Sequence, residues 1–338
     1  MRIAVDAMGG DHAPDEIVAG AALALSASPQ MAVHLVGQQS ALESLVATAD
    51  QTVRDRISIV PASEVIGNDE APAIAVRRKK DASIVVATRL LKEGHVQALV
   101  TAGSTGAFMA AGLLVLGRLP GVGRPALAPV LPTVDGKGVV LLDVGANMDA
   151  TPDHLLQYAI MGSVYAEQVL GRSQPRVGLL NVGLEPGKGN MAVKEAYEML
   201  VDQSINFVGN IEARDLLAGH ADVVVVDGFT GNVVLKFMEG MAASLFAMMK
   251  DEFIRDWRSK LGAGLLRPAL RRLKDSLDYS EYGGAPLLGV KQAMIKCHGS
   301  SRARAIANGL QQAQRFVENR SSEVMAQAIA ARRVKGEN

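Results

Sequence analysis

The run Asp222-Val223-Val224-Val225-Val226-Asp227-Gly228-Phe229-Thr230-Gly231-Asn232 decides the fold. Four consecutive valines leave no polar face for water, so the segment reads as a strand buried on both sides, as in a parallel sheet covered by helices. It ends in an acid and a glycine, and a helical pattern begins at once. A strand passing through glycine into a helix is half of a βα unit. The same punctuation recurs at Asp6-Ala7-Met8-Gly9-Gly10-Asp11, Thr101-Ala102-Gly103-Ser104-Thr105-Gly106-Ala107, Asp143-Val144-Gly145-Ala146-Asn147 and Asn181-Val182-Gly183-Leu184-Glu185. Apolar runs predict strands at 2–7, 32–36, 57–61, 98–101, 139–144, 176–182, 205–209 and 223–227, with helix-length segments between them at 152–170 and 191–201. The expected fold is α/β, a doubly wound and mainly parallel sheet. It forms one catalytic unit over 1–338, with two lobes that share the sheet around a central cleft.

The 338 residues suffice for a large core, and 35 basic side chains balance 35 acidic ones. No global basic field exists to hold nucleic acid, so an anionic ligand must be met by a local patch. The single cysteine, Cys297, excludes an internal disulfide framework and fits a reducing, cytoplasmic setting. The start, Met1-Arg2-Ile3-Ala4-Val5-Asp6, lacks the apolar core of a secretory signal. Apolar stretches are strand-sized or broken by glycine, and none reads as the ~20 residues of a membrane span.

In an open parallel sheet the loops after the strands gather at the carboxyl edge, where ligands bind. The glycine loops therefore supply the substrate-binding candidates: Gly9, Gly10, Asp11, Gly103, Ser104, Thr105, Gly106, Asn147, Asn181, Gly228 and Gly231. The loop from Gly103 to Ala107 is the best phosphate cradle, and Ser104 also reads as the N-cap of the next helix; both roles share one place. The stretch Gly183-Leu184-Glu185-Pro186-Gly187-Lys188-Gly189 is one residue short of a nucleotide P-loop and has no hydroxyl after Lys188, which rejects an NTPase. Lys188 is either a cation for a developing oxyanion or a solvated lysine. Cys297 and His298 are neighbours and point apart, so they are not a nucleophile and its base. Cys297 reads as a small buried hydrophobe. His298, before Gly299-Ser300-Ser301, is a candidate acid or base. With Lys188, Asn232 and Asp227 it completes the catalytic candidates. No metal-ligand spacing and no dinucleotide fingerprint are present, so neither metal nor cofactor is expected. Arg77, Lys79 and Lys80 form a basic cluster that either contacts phosphate or an acidic carrier, or is a solvated face.

From Asn232 a Met- and Phe-rich helical stretch runs to Trp257. A glycine break follows at 261–264, then an amphipathic segment with Leu266, Leu270, Leu273 and Leu277 on one stripe. Residues 232–278 thus read as a helical hairpin. Its Leu265, Leu266, Arg267, Leu270 and Arg271 either pack on the body or a twin subunit, or touch an anionic bilayer. Two more helices are expected at 300–318 and 323–334.

Taken with Ala62-Ser63-Glu64-Val65-Ile66, Lys79-Lys80-Asp81-Ala82-Ser83, Gly117-Arg118-Leu119-Pro120-Gly121-Val122, Arg124-Pro125-Ala126, Tyr282-Gly283-Gly284-Ala285-Pro286-Leu287-Leu288-Gly289 and His298-Gly299-Ser300-Ser301, these loops resemble phosphate acyltransferase (acyl-ACP:phosphate transacylase) of bacterial phospholipid synthesis, in order and over nearly the whole chain. Two departures are Ser104, where the family favours asparagine, and Thr101, where serine is frequent; both keep polarity. The resemblance implies a fold like that of phosphotransacetylases and isocitrate-dehydrogenase-like enzymes, and a homodimer. The reaction it implies joins the acyl group of long-chain acyl carrier protein to inorganic phosphate. It further implies peripheral membrane attachment beside a downstream membrane acyltransferase, and so favours the bilayer role of the hairpin. The competing readings are a short-chain phosphotransacylase using coenzyme A, a non-catalytic membrane scaffold, and an NAD-dependent decarboxylating dehydrogenase of the same fold.

Overall fold

The computed structural model describes residues 1–276 and 283–332. The strands are β1 (Arg2–Asp6), β2 (Ala32–Gly37), β3 (Ile57–Pro61), β4 (Ala98–Thr101), β5 (Ala126–Leu127), β6 (Val130–Leu131), β7 (Val139–Leu142), β8 (Val177–Asn181), β9 (Phe207–Glu212), β10 (Val223–Val225), β11 (Ala285–Leu288) and β12 (Ala293–Lys296). The helices are α1 (Asp15–Ala27), α2 (Gln39–Val46), α3 (Gln51–Arg54), α4 (Pro72–Arg78), α5 (Ser83–Lys92), α6 (Thr105–Ala111), α7 (Pro152–Gln168), α8 (Met191–Val201), α9 (Gly228–Ile254), α10 (Trp257–Ser276), α11 (Ala303–Glu318) and α12 (Ser321–Ala330). The α/β class and the dominance of parallel pairing agree with the sequence. Every residue of β4, β7 and β10 is buried, as strands covered on both faces require.

The strands do not share one sheet. They form a seven-stranded sheet, β3-β2-β1-β4-β12-β11-β5, and a separate five-stranded sheet, β6-β7-β10-β8-β9. The chain crosses between them at Ala128-Pro129. Leu127 pairs with Leu287 of the first sheet, and Val130 with Val140 of the second. Pro129 has no N–H for either ladder, so pairing changes partner across it. The chain then returns through the C-terminal residues, which insert β12 beside β4. Strands β5, β6, β11 and β12 escaped the sequence pattern because the first two are only two residues long and the last pair begins antiparallel.

A hairpin of α9 and α10 follows the second sheet. Its turn lies at 255–256, not at the glycines. Asp256 accepts N–H bonds from Arg258 at 2.8 Å and Ser259 at 2.9 Å, which caps α10 earlier than expected. Gly262, Gly264 and Pro268 then sit inside the helix. Leu265 and Leu266 are exposed, and Leu270 is half-buried with Arg267 and Arg271 in the groove against α9. Leu277, Tyr282 and the predicted helix end at 333–334 lie outside the described residues. Contrary to the sequence expectation, α9 is long and apolar enough to cross a membrane, with a mean hydropathy of 1.2 over its best window. Its apolar residues are spread over 27 positions rather than massed in one run, which is why the pattern was not legible.

Candidate active site

The first sheet sets the floor of the site. The parallel registers β1–β4 and β12–β4 place Asp6 opposite Thr101, and Thr101 opposite Lys296, in one row at the carboxyl ends of three adjacent strands. All three are buried. The turns that follow these strands lie against one another. A Cβ on Gly9 would fall 2.7 Å from the Gly103 nitrogen and 2.8 Å from its Cα, so only glycine permits this backbone-on-backbone contact. Thr101 donates its hydroxyl to Asp6 Oδ2 at 2.7 Å and accepts the Gly103 N–H at 2.9 Å, which fixes the second turn over the first. The third turn joins through the Asp11 N–H, which donates to the Gly299 carbonyl at 2.8 Å.

Above this floor opens a cavity of about 510 Å³, within the ~300–1,000 Å³ typical of small-molecule sites. The first sheet contributes Gly9, Gly10, Asp11, Gly103, Ser104, Thr105, Lys296 and His298. The second sheet and α9 contribute Val144, Asn232, Lys236 and Glu239. Positions 232, 236 and 239 recur at helical spacing, so one stripe of α9 walls the cleft. The loop that carries Val65, Ile66, Gly67 and Asn68 forms a further wall. Lys79 holds that loop from behind, donating to Val65 O at 2.9 Å and pairing with Glu70 at 2.8 Å, while Glu70 accepts the Gly67 N–H.

Electrostatically the floor is unusual. Burial pushes the Asp6 carboxyl above the usual range, although the nearby Ser83 and Thr101 hydroxyls oppose the shift. Burial also lowers the Lys296 ammonium to about 8. The Cys297 thiol is pushed up to about 12 by burial, so it is no ready thiolate. His298 is exposed at the rim, and partial loss of water holds its imidazole below the usual value. The Ser300 N–H donates to His298 Nδ1 at 3.2 Å, and the Ser300 hydroxyl lies 2.8 Å from the same nitrogen, which fixes the ring's orientation.

Of the residues singled out from sequence, Gly9, Gly10, Asp11, Gly103, Ser104, Thr105, Asn232 and His298 come together in this cavity. The others do not line it. Gly106 packs under Pro72 of α4. Asn147 is engaged with Pro125 O, Asp143 and Tyr158, and Gly228 and Gly231 pack against the backbone at Asn147 and Asp143. Asp227 caps α9 through Thr230 at 2.8 Å. Asn181 braces its own loop by donating to Lys188 O at 3.1 Å. Lys188 is exposed on that loop, beyond β8, which lies two strands from β7 in the second sheet. Arg77 and Lys80 are exposed on or just after α4. Lys296, Lys236 and Glu239 were missed by sequence reasoning. The signal for Lys296 was an apolar run, Ala293-Met294-Ile295, ending in a cation before a glycine turn.

Two mainly parallel sheets with a glycine-floored cleft at their strand ends define an α/β protein of the phosphotransacetylase fold. A phosphotransacetylase from Streptococcus pyogenes shares it at TM-score 0.63 and 16% identity over 98% of this chain and 94% of that one. A branched-chain phosphotransacylase from Enterococcus faecalis does so at TM-score 0.58 and 16% identity over 94% and 99%. Residues 1–324 match the family model described as fatty acid synthesis protein. Phosphate acyltransferases of Heliobacterium modesticaldum and Bacillus pumilus are 58% and 51% identical to the chain. The first alignment covers 94% of each sequence, the second 97% of this chain and 98% of the relative. The chain belongs to the phosphate acyltransferase family of fatty acid synthesis, and it is an acyltransferase.

Proposed function

We propose that the protein moves a long-chain acyl group from acyl carrier protein to inorganic phosphate, giving acyl phosphate for phospholipid synthesis. The observation that carries this reading is the contact of Gly9 on Gly103 at the cleft floor. Small residues there let an oxyanion approach the main chain, and Ser104 and Thr105 add hydroxyls beside it. Bound phosphate is the nucleophile. One of its oxygens attacks the thioester carbonyl, the tetrahedral oxyanion collapses, and the C–S bond breaks. The leaving thiol has an ordinary pKa of about 8.5, so it departs without a strong acid and no acyl-enzyme is needed. Asn232 donates to phosphate or oxyanion, and His298 supplies a proton at the rim. In this reading Lys188, on the loop after β8, is the cation offered to the developing oxyanion.

In the same reading Arg77 and Lys80 meet the acidic carrier protein, the protein acts as a homodimer, and Leu265, Leu266 and the hairpin's arginines rest on an anionic bilayer beside the membrane acyltransferase that consumes the product. The exposed apolar side chains Leu265 and Leu266 support the last point. The test supplies purified protein with phosphate and either palmitoyl-ACP or acetyl-CoA, and traps acyl phosphate with hydroxylamine. Hydroxamate from palmitoyl-ACP is expected. Hydroxamate from acetyl-CoA alone makes it a short-chain phosphotransacylase, and none from either donor refutes the acyl-phosphate reading.

A further inference from the structure

Among the described residues, Lys296 is the one lysine or arginine that is buried. It ends β12, in the row that runs from Asp6 through Thr101, and it lines the same cleft as the glycine turns. Its ammonium donates to the carbonyls of Ala102, at 3.3 Å, and of Cys297. Both acceptors are neutral. No carboxylate among the described residues comes within the 4.0 Å of an ion pair. An ammonium carries three donors, so two carbonyls leave one over. A cation taken out of water without a counter-ion is destabilised, and such a group persists where a ligand brings the missing charge.

We propose that Lys296 is a catalytic residue of this cleft, its ammonium anchored by the Ala102 and Cys297 carbonyls and its remaining N–H bonded to an oxygen of the bound phosphate. That the anion is phosphate rests on the acyl-transfer reading; that an oxyanion is held here rests on the geometry. The lysine also fixes where the nucleophile starts. An anion on Lys296 sits over the Gly9 and Gly103 turns and beside the α9 stripe, where the thioester must enter between the two sheets. Asp6, at the far end of the row, faces Thr101 and Gly103 rather than the cavity and keeps the turn in place.

The charged and titratable groups around Lys296 are Asp6 from β1, Asp11 from the turn after β1, Cys297 and His298 from its own segment, and Lys236 and Glu239 from α9. Its own pKa of about 8 means that the free protein carries the ammonium below that pH and loses it above. Phosphate affinity therefore falls as pH rises from 7 to 9.5. Arginine does not titrate there, so Lys296→Arg flattens the fall.

The experiment is calorimetric titration of the full-length protein with inorganic phosphate alone at pH 7 and pH 9.5, using wild type, Lys296→Met, Lys296→Arg and the surface control Lys92→Met. Loss of one charge-assisted bond predicts phosphate binding weaker by about 10- to 100-fold in Lys296→Met at pH 7, with Lys92→Met unchanged. The melting temperature of Lys296→Met stays level or rises, because a buried charge has gone. Wild-type affinity in Lys296→Met, or a wild-type affinity that is flat between pH 7 and 9.5, overturns the proposal. If Lys296→Met does not fold, the wild-type and Lys296→Arg pH profiles decide alone. Hydroxamate formation is measured separately. Acyl phosphate made with an unchanged KM for phosphate in Lys296→Met sinks the role of Lys296 and leaves the acyl-transfer reading standing. Phosphate binding through Lys296 without any acyl phosphate does the reverse.

Discussion

Replacing Gly9 by alanine tests whether the two turns must touch. The backbone at Gly9 is not in the left-handed region, so the new methyl acts by contact alone. It would stand 2.7 Å from both Asp6 Oδ2 and the Gly103 nitrogen, and 2.8 Å from the Gly103 Cα. Two of these three atoms are backbone and cannot swing aside. Ordinary contact starts at 3.4 Å, so going from 2.7 to 3.4 Å opens the floor by 0.7 Å. Overpacking of this kind costs about 1–3 kcal/mol. With ~2.1 cal/mol/K of unfolding entropy per residue, the 338 residues give ~0.7 kcal/mol/K, so Tm falls by about 1.5–4 °C. A displacement near 1 Å at a reacting centre costs up to ~10²-fold in rate, so kcat/KM for phosphate falls by about 10- to 100-fold, far more than the stability change explains. The assay is hydroxamate formation with varied phosphate, beside thermal unfolding. Gly187→Ala is the control, since a Cβ there meets nothing within 4 Å. Wild-type kcat/KM in Gly9→Ala would refute the argument that the contact builds the floor.

Asp143 accepts N–H bonds from Leu127, Ala146 and Asn147, so Asp143→Asn turns an NH2 toward donors and lowers stability at pH 7 by about 2 kcal/mol, read from thermal unfolding. Burial raises the Asp143 carboxyl from 3.8 to about 6. The native state thus keeps this proton longer than the unfolded chain. Its contribution is full below about pH 4 and lost as pH rises through about 6, and the asparagine variant lacks that fall. His298→Asn lowers kcat by about 10²-fold, the low end for a proton donor; a kcat within twofold of wild type removes it from the chemistry. Lys79→Met frees the 65–70 loop and cuts kcat/KM several-fold with no change in its salt dependence, whereas a direct contact with an acidic carrier steepens that dependence in the wild type only. Leu265→Glu with Leu266→Glu abolishes cosedimentation with anionic vesicles while leaving solution turnover intact; retained vesicle binding removes these two residues from the membrane reading.

The site was legible where chemistry is local. Gly9, Gly103 and Ser104 announce themselves because a strand, a glycine and a helix start are consecutive in the chain. The division into two sheets was not legible. It depends on Leu127 and Val130, three residues apart, choosing partners 160 and 10 positions away, and no short-range pattern carries that choice. Lys296 was hidden for a related reason. Its meaning comes from lying beside Thr101, across 195 residues of chain, and from burial that a lysine at the end of a short apolar run does not advertise. The asparagines misled in the opposite direction. Asn147 and Asn181 look like ligand donors by type and place, yet their amides are occupied in holding Pro125 and the Lys188 loop. The α10 start was missed because one well-placed aspartate, Asp256, outweighs two glycines that a helix tolerates at ~1 kcal/mol each.

The most direct test mixes purified protein with palmitoyl-ACP and fully ¹⁸O-labelled phosphate, quenches within the first turnovers, and weighs both product and intact protein. Palmitoyl phosphate carrying all the labelled oxygens is expected, with the protein mass unchanged. Palmitate attached to Cys297, Ser104 or any other side chain, or the absence of labelled palmitoyl phosphate, would contradict it.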